Sequence, residues 1–274
     1  MYDGIKIKFI SQDEVVSIFA GDTDAIFNCV EDALLKYING MALLPDKVSQ
    51  IFDQQTQNRI NCMPATLLDE RVCGVKWVSV FPTNAAKGLQ NVNGIMLLSE
   101  IETGFPIAVI DGTFVTVART AAVGCVAAKY LAPSKVECIG FIGAGEQAKM
   151  HYALLKHMFP SIKECRVSSR KESTEDAFIN TFAEITPDVR FIACRNSSFH
   201  AAAGADIIVT AISGQAPVLK AKDVTKGGLY IHVGGWEDEY GVALKANKIV
   251  VDDWEAAKHR TQTICITKAW RSEA

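Results

Sequence analysis

Residues 135–148, Lys-Val-Glu-Cys-Ile-Gly-Phe-Ile-Gly-Ala-Gly-Glu-Gln-Ala, constrain the fold more than any other stretch of this chain. A short apolar strand runs straight into Gly143-x-Gly145-x-x-Ala148, and an amphipathic helical pattern follows. That order is what a dinucleotide-binding turn requires. Gly143 permits the tight turn, Gly145 lets the backbone approach a pyrophosphate, and Ala148 lets helix and strand pack closely. The phosphate is then held by free N–H groups and the dipole at the helix N-terminus.

Downstream of the turn the chain alternates. Strands are expected at Glu137–Ile142, Cys165–Ser168, Phe191–Cys194, Ile207–Ala211, Leu229–Val233 and Lys248–Val251. Helices are expected at Gly145–Phe159 and Ser173–Ile185. Alternation of this kind implies a doubly wound parallel sheet. Upstream the pattern is α+β. Ile5–Ile10 alternates, Ser11-Gln-Asp-Glu14 forms a capping box, and Asp24–Asn39 carries a helical stripe closed by Gly40. Strands follow near Asn61–Leu68, Val75–Phe81, Ile95–Ser99 and Phe105–Ile110, the last two joined by a turn at Glu102-Thr-Gly104. A helix rich in small residues runs from Thr116 to Leu131 and stops at Ala132-Pro133, which sets a domain boundary at Pro133-Ser134.

Composition excludes several classes. A net charge of -3 without a dense Lys/Arg run argues against a nucleic-acid surface. No uninterrupted apolar run approaches a membrane span, and the N-terminus lacks a signal pattern, so a cytoplasmic protein without a membrane role is expected. The eight cysteines (29, 62, 73, 125, 138, 165, 194 and 265) form no Cys-x-x-Cys pair and fall mostly in apolar patterns. They read as reduced core residues, with no metal site. His151 and His157 read as helix-surface residues and His232 as a hydrogen-bonded core residue. His200 and His259 have no partner pattern, and Asp252-Asp253-Trp254 reads as a solvated loop.

The second strand of the alternating half ends Val167-Ser168-Ser169-Arg170-Lys171, where a carboxylate for a ribose 2′-hydroxyl is missing until Glu172. Two hydroxyls and a cationic pair suit a 2′-phosphate, so NADP(H) is favoured over NAD(H). A solvated loop start is the bland alternative. The expected cofactor residues are Gly143, Gly145, Glu146, Gln147, Ala148, Ser169, Arg170, Lys171, Thr120 and Thr210.

On the substrate side, alternation in Gly74-Val-Lys-Trp-Val-Ser-Val-Phe81 places Lys76 on the face of Val78 and Val80. A lysine on an apolar strand face needs a partner or a purpose. Arg119 falls in the first turn expected for the small-residue helix, where its charge adds to the helix N-terminus and makes a carboxylate clamp.

Met63-Pro-Ala, Gly74-Val-Lys, Gly88-Leu-Gln, Glu102-Thr-Gly-x-Pro-x-Ala-x-x-Asp-Gly112 and Ala118-Arg-Thr-Ala-Ala122, with the turn at Gly143 and Gly145, resemble the ornithine cyclodeaminase/mu-crystallin family. The resemblance implies a doubly wound parallel Rossmann sheet plus an α+β substrate-binding and dimerisation domain. The first is expected at 134–256 and the second at 1–133, with 257–274 a candidate completion. It further implies a homodimer and NAD(P)-dependent hydride transfer at the Cα–N bond of a small amino acid or imine. That chemistry takes the form of cyclodeamination, dehydrogenation or imine reduction. Lys76 matches the family's catalytic-site lysine and Arg119 its carboxylate-binding arginine, with Lys47 and Arg59 as stand-ins for a further arginine.

Two departures stand out. The aspartate that handles the substrate amine follows a Gly-Gly pair in cyclodeaminases. Here Gly234-Gly235 is followed by Trp236, so either Glu237 or Asp238 serves as the catalytic candidate by a shifted register or Trp236 closes a pocket for a different, more apolar substrate. The chain also looks shortened after Asp252, which would leave apolar surface on the first domain for a partner chain to cover. The rival class is a mu-crystallin-type, NADPH-dependent binding protein without turnover.

Overall fold

A computed structural model describes residues 4–19, 21–224, 227–254 and 257. The chain divides into two compact units, 1–119 and 120–274.

Unit 1 is built on a seven-stranded sheet. Its strands are β1 (Lys8–Ile10), β2 (Ala42–Leu43), β3 (Val48–Ile51), β4 (Arg59–Leu67), β5 (Val72–Val80), β6 (Val92–Glu100) and β7 (Pro106–Asp111). The order is β1-β7-β6-β5-β4-β2, with β3 also on β4. β4 through β7 form an antiparallel meander, and β1 joins β7 in parallel. Two helices precede the meander, α1 (Gln12–Phe19) and α2 (Thr23–Ile38). The capping box forms as expected, with Glu14 accepting from the Ser11 N–H at 2.8 Å. Asp22 caps α2 by accepting from the Ala25 N–H. The turn after β6 has Gly104 at φ +75°.

The small-residue helix α3 (Thr113–Leu131) starts three residues earlier than the pattern suggested. Asp111 is the reason, because its carboxylate accepts from the Thr113 N–H and hydroxyl. By length and composition α3 could pass for a membrane span. Arg119 and Lys129 interrupt it, and Ala121, Ala122, Cys125 and Ala128 are buried in the protein, as in a core helix. The divide between the units falls inside it.

Unit 2 holds the parallel sheet, made of β8 (Cys138–Ile142), β9 (Glu164–Ser168), β10 (Arg190–Ala193), β11 (Ile207–Thr210) and β13 (Leu229–His232) in the order β10-β9-β8-β11-β13. Every pairing is parallel, as in a doubly wound Rossmann sheet. Helices α4 (Glu146–Met158), α5 (Glu172–Phe182) and α6 (Ser198–Ala202) connect the strands. Gly140 and Phe141 show that both faces are covered, since neighbours on a strand point to opposite sides. Phe141 meets Tyr152 of α4 and Phe178 of α5. At Gly140 a side chain would collide with the backbone carbonyl of Ala201 in α6.

Beside this sheet lie a two-stranded ribbon, β12 (Gln215–Leu219) with β14 (Trp236–Asp238), and a short α7 (Tyr240–Lys245). The expected strand at Lys248–Val251 does not form, and the chain there is irregular. His259, Cys265 and the candidate completing segment 258–274 lie outside the described residues.

Candidate functional site

In unit 1 the centre of interest is β5. Lys76 stands opposite Met63 on β4 and Met96 on β6. Alternation gives it the same face as Val78, which is 3% exposed, and puts Trp77, 42% exposed, on the other. Burial first, and then the like charge of Arg119, hold the Lys76 ammonium down to about 7. Arg119 therefore acts on Lys76 through space. It sits in the second turn of α3, not the first, because the helix begins at Thr113. One turn into the helix, Arg119 gains little from the dipole, and its charge bears instead on Lys76.

Arg59 lies on the Lys76 face by register, opposite Val80, and donates to the Gln57 carbonyl at 3.0 Å. It is half-buried, and burial lowers its pKa. Four residues of strand separate its row from that of Lys76, roughly 13 Å. Lys47 is exposed, in the loop between β2 and β3. Sequence reasoning missed Asn61, which is buried on the same face opposite Val78 and accepts from the Ser49 hydroxyl at 2.8 Å. An asparagine at period-2 spacing from Met63 in a largely apolar strand was the available signal.

In unit 2 the glycine turn has the expected form. Gly143 has φ +105°, a side chain there would strike the Ala211 carbonyl, and its N–H donates to the Ser168 carbonyl at 2.8 Å. Gly145 is the N-cap of α4, and the space where its Cβ would stand is open, as a phosphate cradle needs. Ala148 is fully buried. Glu146 is exposed and paired with Lys149. Gln147 is half-buried, with its amide oxygen enclosed and without a hydrogen-bond partner. The donors and the open cradle fit a dinucleotide.

At the end of β9, Ser169 is half-buried, while Arg170 and Lys171 are exposed. What organises this loop is Glu175, which the sequence did not single out. Fully buried, it accepts backbone N–H groups from Ser169 at 2.7 Å, Arg195 at 2.9 Å and Asn196 at 3.0 Å. Arg195 and Asn196 both take left-handed conformations there.

Several expected roles change. Thr210 is fully buried, and its hydroxyl bonds Glu237 at 2.8 Å and Tyr230 at 2.9 Å, so it serves the interior rather than a ligand. Glu237 is fully buried as well. It accepts from the Thr210 hydroxyl, the Ile212 N–H at 2.6 Å and the Gly234 N–H at 2.8 Å. It clamps the loops after β11 and β13, and a carboxylate so engaged is no candidate base. Asp238 pairs with His232, its Oδ1 3.1 Å from Nδ1. His232 is not a core residue, being 35% exposed at the end of β13. His151 is not on the surface. It is fully buried beside Gly124 of α3, and burial pushes its pKa down to about 4. Thr120 lies half-buried on α3. Among the described residues, no group of three or more His, Cys, Asp or Glu side chains is arranged to hold a metal ion.

Residues 9–269 match the model of the ornithine cyclodeaminase/mu-crystallin family. An alanine dehydrogenase of Archaeoglobus fulgidus is 36% identical over 254 residues, covering 91% of this chain and 75% of that protein. The structure of Thermococcus litoralis Δ1-pyrroline-2-carboxylate reductase in complex with NADH and L-proline is similar with a TM-score of 0.88 at 28% identity, over 95% of this chain and 80% of that one. An archaeal alanine dehydrogenase dimer with bound NAD gives 0.81 at 34% identity, over 96% and 80%.

Proposed function

The chain belongs to the ornithine cyclodeaminase/mu-crystallin family, and from that membership we propose the residues and the substrate class of its reaction. It is an NAD(P)-dependent enzyme that transfers hydride at the Cα–N bond of a small amino acid or imine. In our reading unit 1 takes the substrate carboxylate on Lys76 and Arg119. Unit 2 takes the nucleotide on Gly143, Gly145, Glu146, Gln147 and Ala148. The observation that carries the reading is the half-buried cation pair, in which Lys76 is pushed to about 7. A bound carboxylate would offset one of the two positive charges and favour the charged form of Lys76, so substrate binding itself would bring the proton onto this lysine.

Simple dehydrogenation or imine reduction fits better than cyclisation. Trp236 follows Gly234-Gly235, and the two candidate carboxylates beside it are engaged, Glu237 with the loops and Asp238 with His232. The test is a panel of L-alanine, L-ornithine and L-proline with NAD+ and NADP+, and Δ1-pyrroline-2-carboxylate and pyruvate plus ammonia with NADH and NADPH. Reduction of the cyclic imine or of pyruvate with ammonia is the expected result. Conversion of ornithine to proline without net nucleotide turnover would assign cyclodeamination instead, and no turnover with intact nucleotide binding would favour the mu-crystallin-type binding protein.

NADP(H) remains our preferred nucleotide, supported by exposed Arg170 and Lys171 beside Ser169 at the end of β9. Parallel fluorescence titrations with NADPH and NADH decide it. Tighter NADH binding would remove those residues from the site. The homodimer is proposed on the apolar open face of the unit 1 sheet, which exposes Phe9, Val48, Trp77, Ile95 and Ile107.

A further inference from the structure

With Glu237 locked in its clamp and Asp238 turned to His232, the reaction still has to move a proton at the substrate nitrogen. A dinucleotide bound at the turn after β8 would turn its adenosine half toward the second strand, here β9. Its nicotinamide half would then face the β11 and β13 side of the sheet. His232 is the last residue of β13. It stands in register with Thr210, which stands in register with Ile142, the residue before Gly143. Two strand spacings, roughly 10 Å, thus separate His232 from the start of the glycine turn, on the nicotinamide side.

The ring is held in a definite orientation. Nδ1 lies 3.1 Å from Asp238 Oδ1, and Nε2 lies 3.1 Å from the Gly235 carbonyl and 3.5 Å from Glu237 Oε2. Acceptors at both nitrogens favour the imidazolium, which has two N–H donors. Among the described residues, Asp238 and Glu237 on β14 and Tyr230, two residues earlier on the same strand, are the titratable groups beside the ring. Desolvation works against the charged ring, and the two carboxylates together outweigh it, so its pKa is raised.

We propose that His232, oriented by Asp238, is the acid that protonates the substrate nitrogen during imine reduction and the base that deprotonates it in the reverse direction. The inference rests on the hydride-transfer reading. In the reductive direction, hydride from the reduced nucleotide adds at Cα and the C=N π pair moves to nitrogen. That nitrogen takes the Nε2 proton of His232, and the products are the amine, the oxidised nucleotide and neutral imidazole, which solvent reprotonates. The Gly235 carbonyl holds the same N–H until the substrate nitrogen replaces it.

The test compares wild type, His232→Gln and Asp238→Asn on the panel above. His232→Gln is expected to lower kcat by roughly 10²-fold or more while the nucleotide Kd stays within about twofold of wild type. Asp238→Asn removes the partner that raises the imidazolium pKa. The high-pH fall in reduction rate that belongs to His232 then moves to lower pH, while the titration of Lys76 stays in place. NMR titration of the His232 ring gives the same shift without turnover. Wild-type kcat in His232→Gln, an unmoved His232 titration in Asp238→Asn, or loss of nucleotide binding in His232→Gln would each overturn the proposal and leave the hydride reading standing. A wild type that binds nucleotide but turns over nothing on the panel overturns both.

Discussion

Lys76 shows how much chemistry a single position can carry. Folding lowers its pKa to about 7, against about 10.4 in an unfolded chain. Between those values the unfolded chain holds the proton and the folded chain has released it. Stability therefore rises with pH from about 7 to about 10, and the full cost of the buried charge is present below 7. Lys76→Met keeps the length and removes the charge. It is expected to raise Tm at pH 6 by roughly 3–8 °C, with the gain shrinking toward pH 10. Equal gains at both pH values would show that the ammonium is not held down by its surroundings. The same variant should abolish turnover and leave nucleotide affinity within about twofold, because the glycine turn belongs to a different unit.

At the scale of elements, the two glycines after β8 do different work, and substitution separates them. Gly143 has a left-handed φ and no room for a side chain against the Ala211 carbonyl. Gly143→Ala is expected to destabilise unit 2 by about 2–3 kcal/mol in urea unfolding. Gly145 has an ordinary φ of -83° and open space beside it. Gly145→Ala should change stability by less than about 0.5 kcal/mol yet weaken nucleotide binding tenfold or more, since the added methyl occupies the phosphate cradle. An unchanged nucleotide Kd in Gly145→Ala would move the pyrophosphate elsewhere. Glu175→Gln should cost about 1–3 kcal/mol, because an amide cannot accept all three of the N–H groups that the carboxylate takes.

This contrast also marks what the sequence disclosed. The turn, the alternation that builds a parallel sheet and the apolar face of Lys76 are legible, because period and glycine placement are local signals. The clamps at Glu175 and Glu237 are not. Each is defined by backbone donors from loops distant in sequence, up to 21 residues for Glu175 and 25 for Glu237. A glutamate so enclosed reads, in sequence, like any solvated one. His151 was misplaced for a related reason, since its burial depends on the close approach of α3 at Gly124.

At the scale of the whole molecule, the unit 1 sheet poses a question of solvent. An antiparallel sheet with one wet face normally alternates apolar and polar residues. Here Lys76, Arg59 and Asn61 occupy one face, and the opposite face carries two apolar rows. One row runs Val48, Cys62, Trp77, Ile95 and the other Pro64, Val75, Leu97, Val109, Phe9. Val48 is 63% exposed and Phe9 68%. A contiguous apolar surface of this kind marks an interface, and a second copy of the same sheet is the partner most simply matched to it, since a twofold contact needs only self-complementarity. Trp77 lies inside the first row, so Trp77→Glu would bury one carboxylate from each copy in such a contact. The wild type is expected to elute with the mass of a dimer in light-scattering chromatography, and Trp77→Glu with half that mass and a lower Tm. A Trp77→Glu chain that stays dimeric would exclude this face. A monomeric wild type would leave the apolar rows without the partner that their exposure calls for.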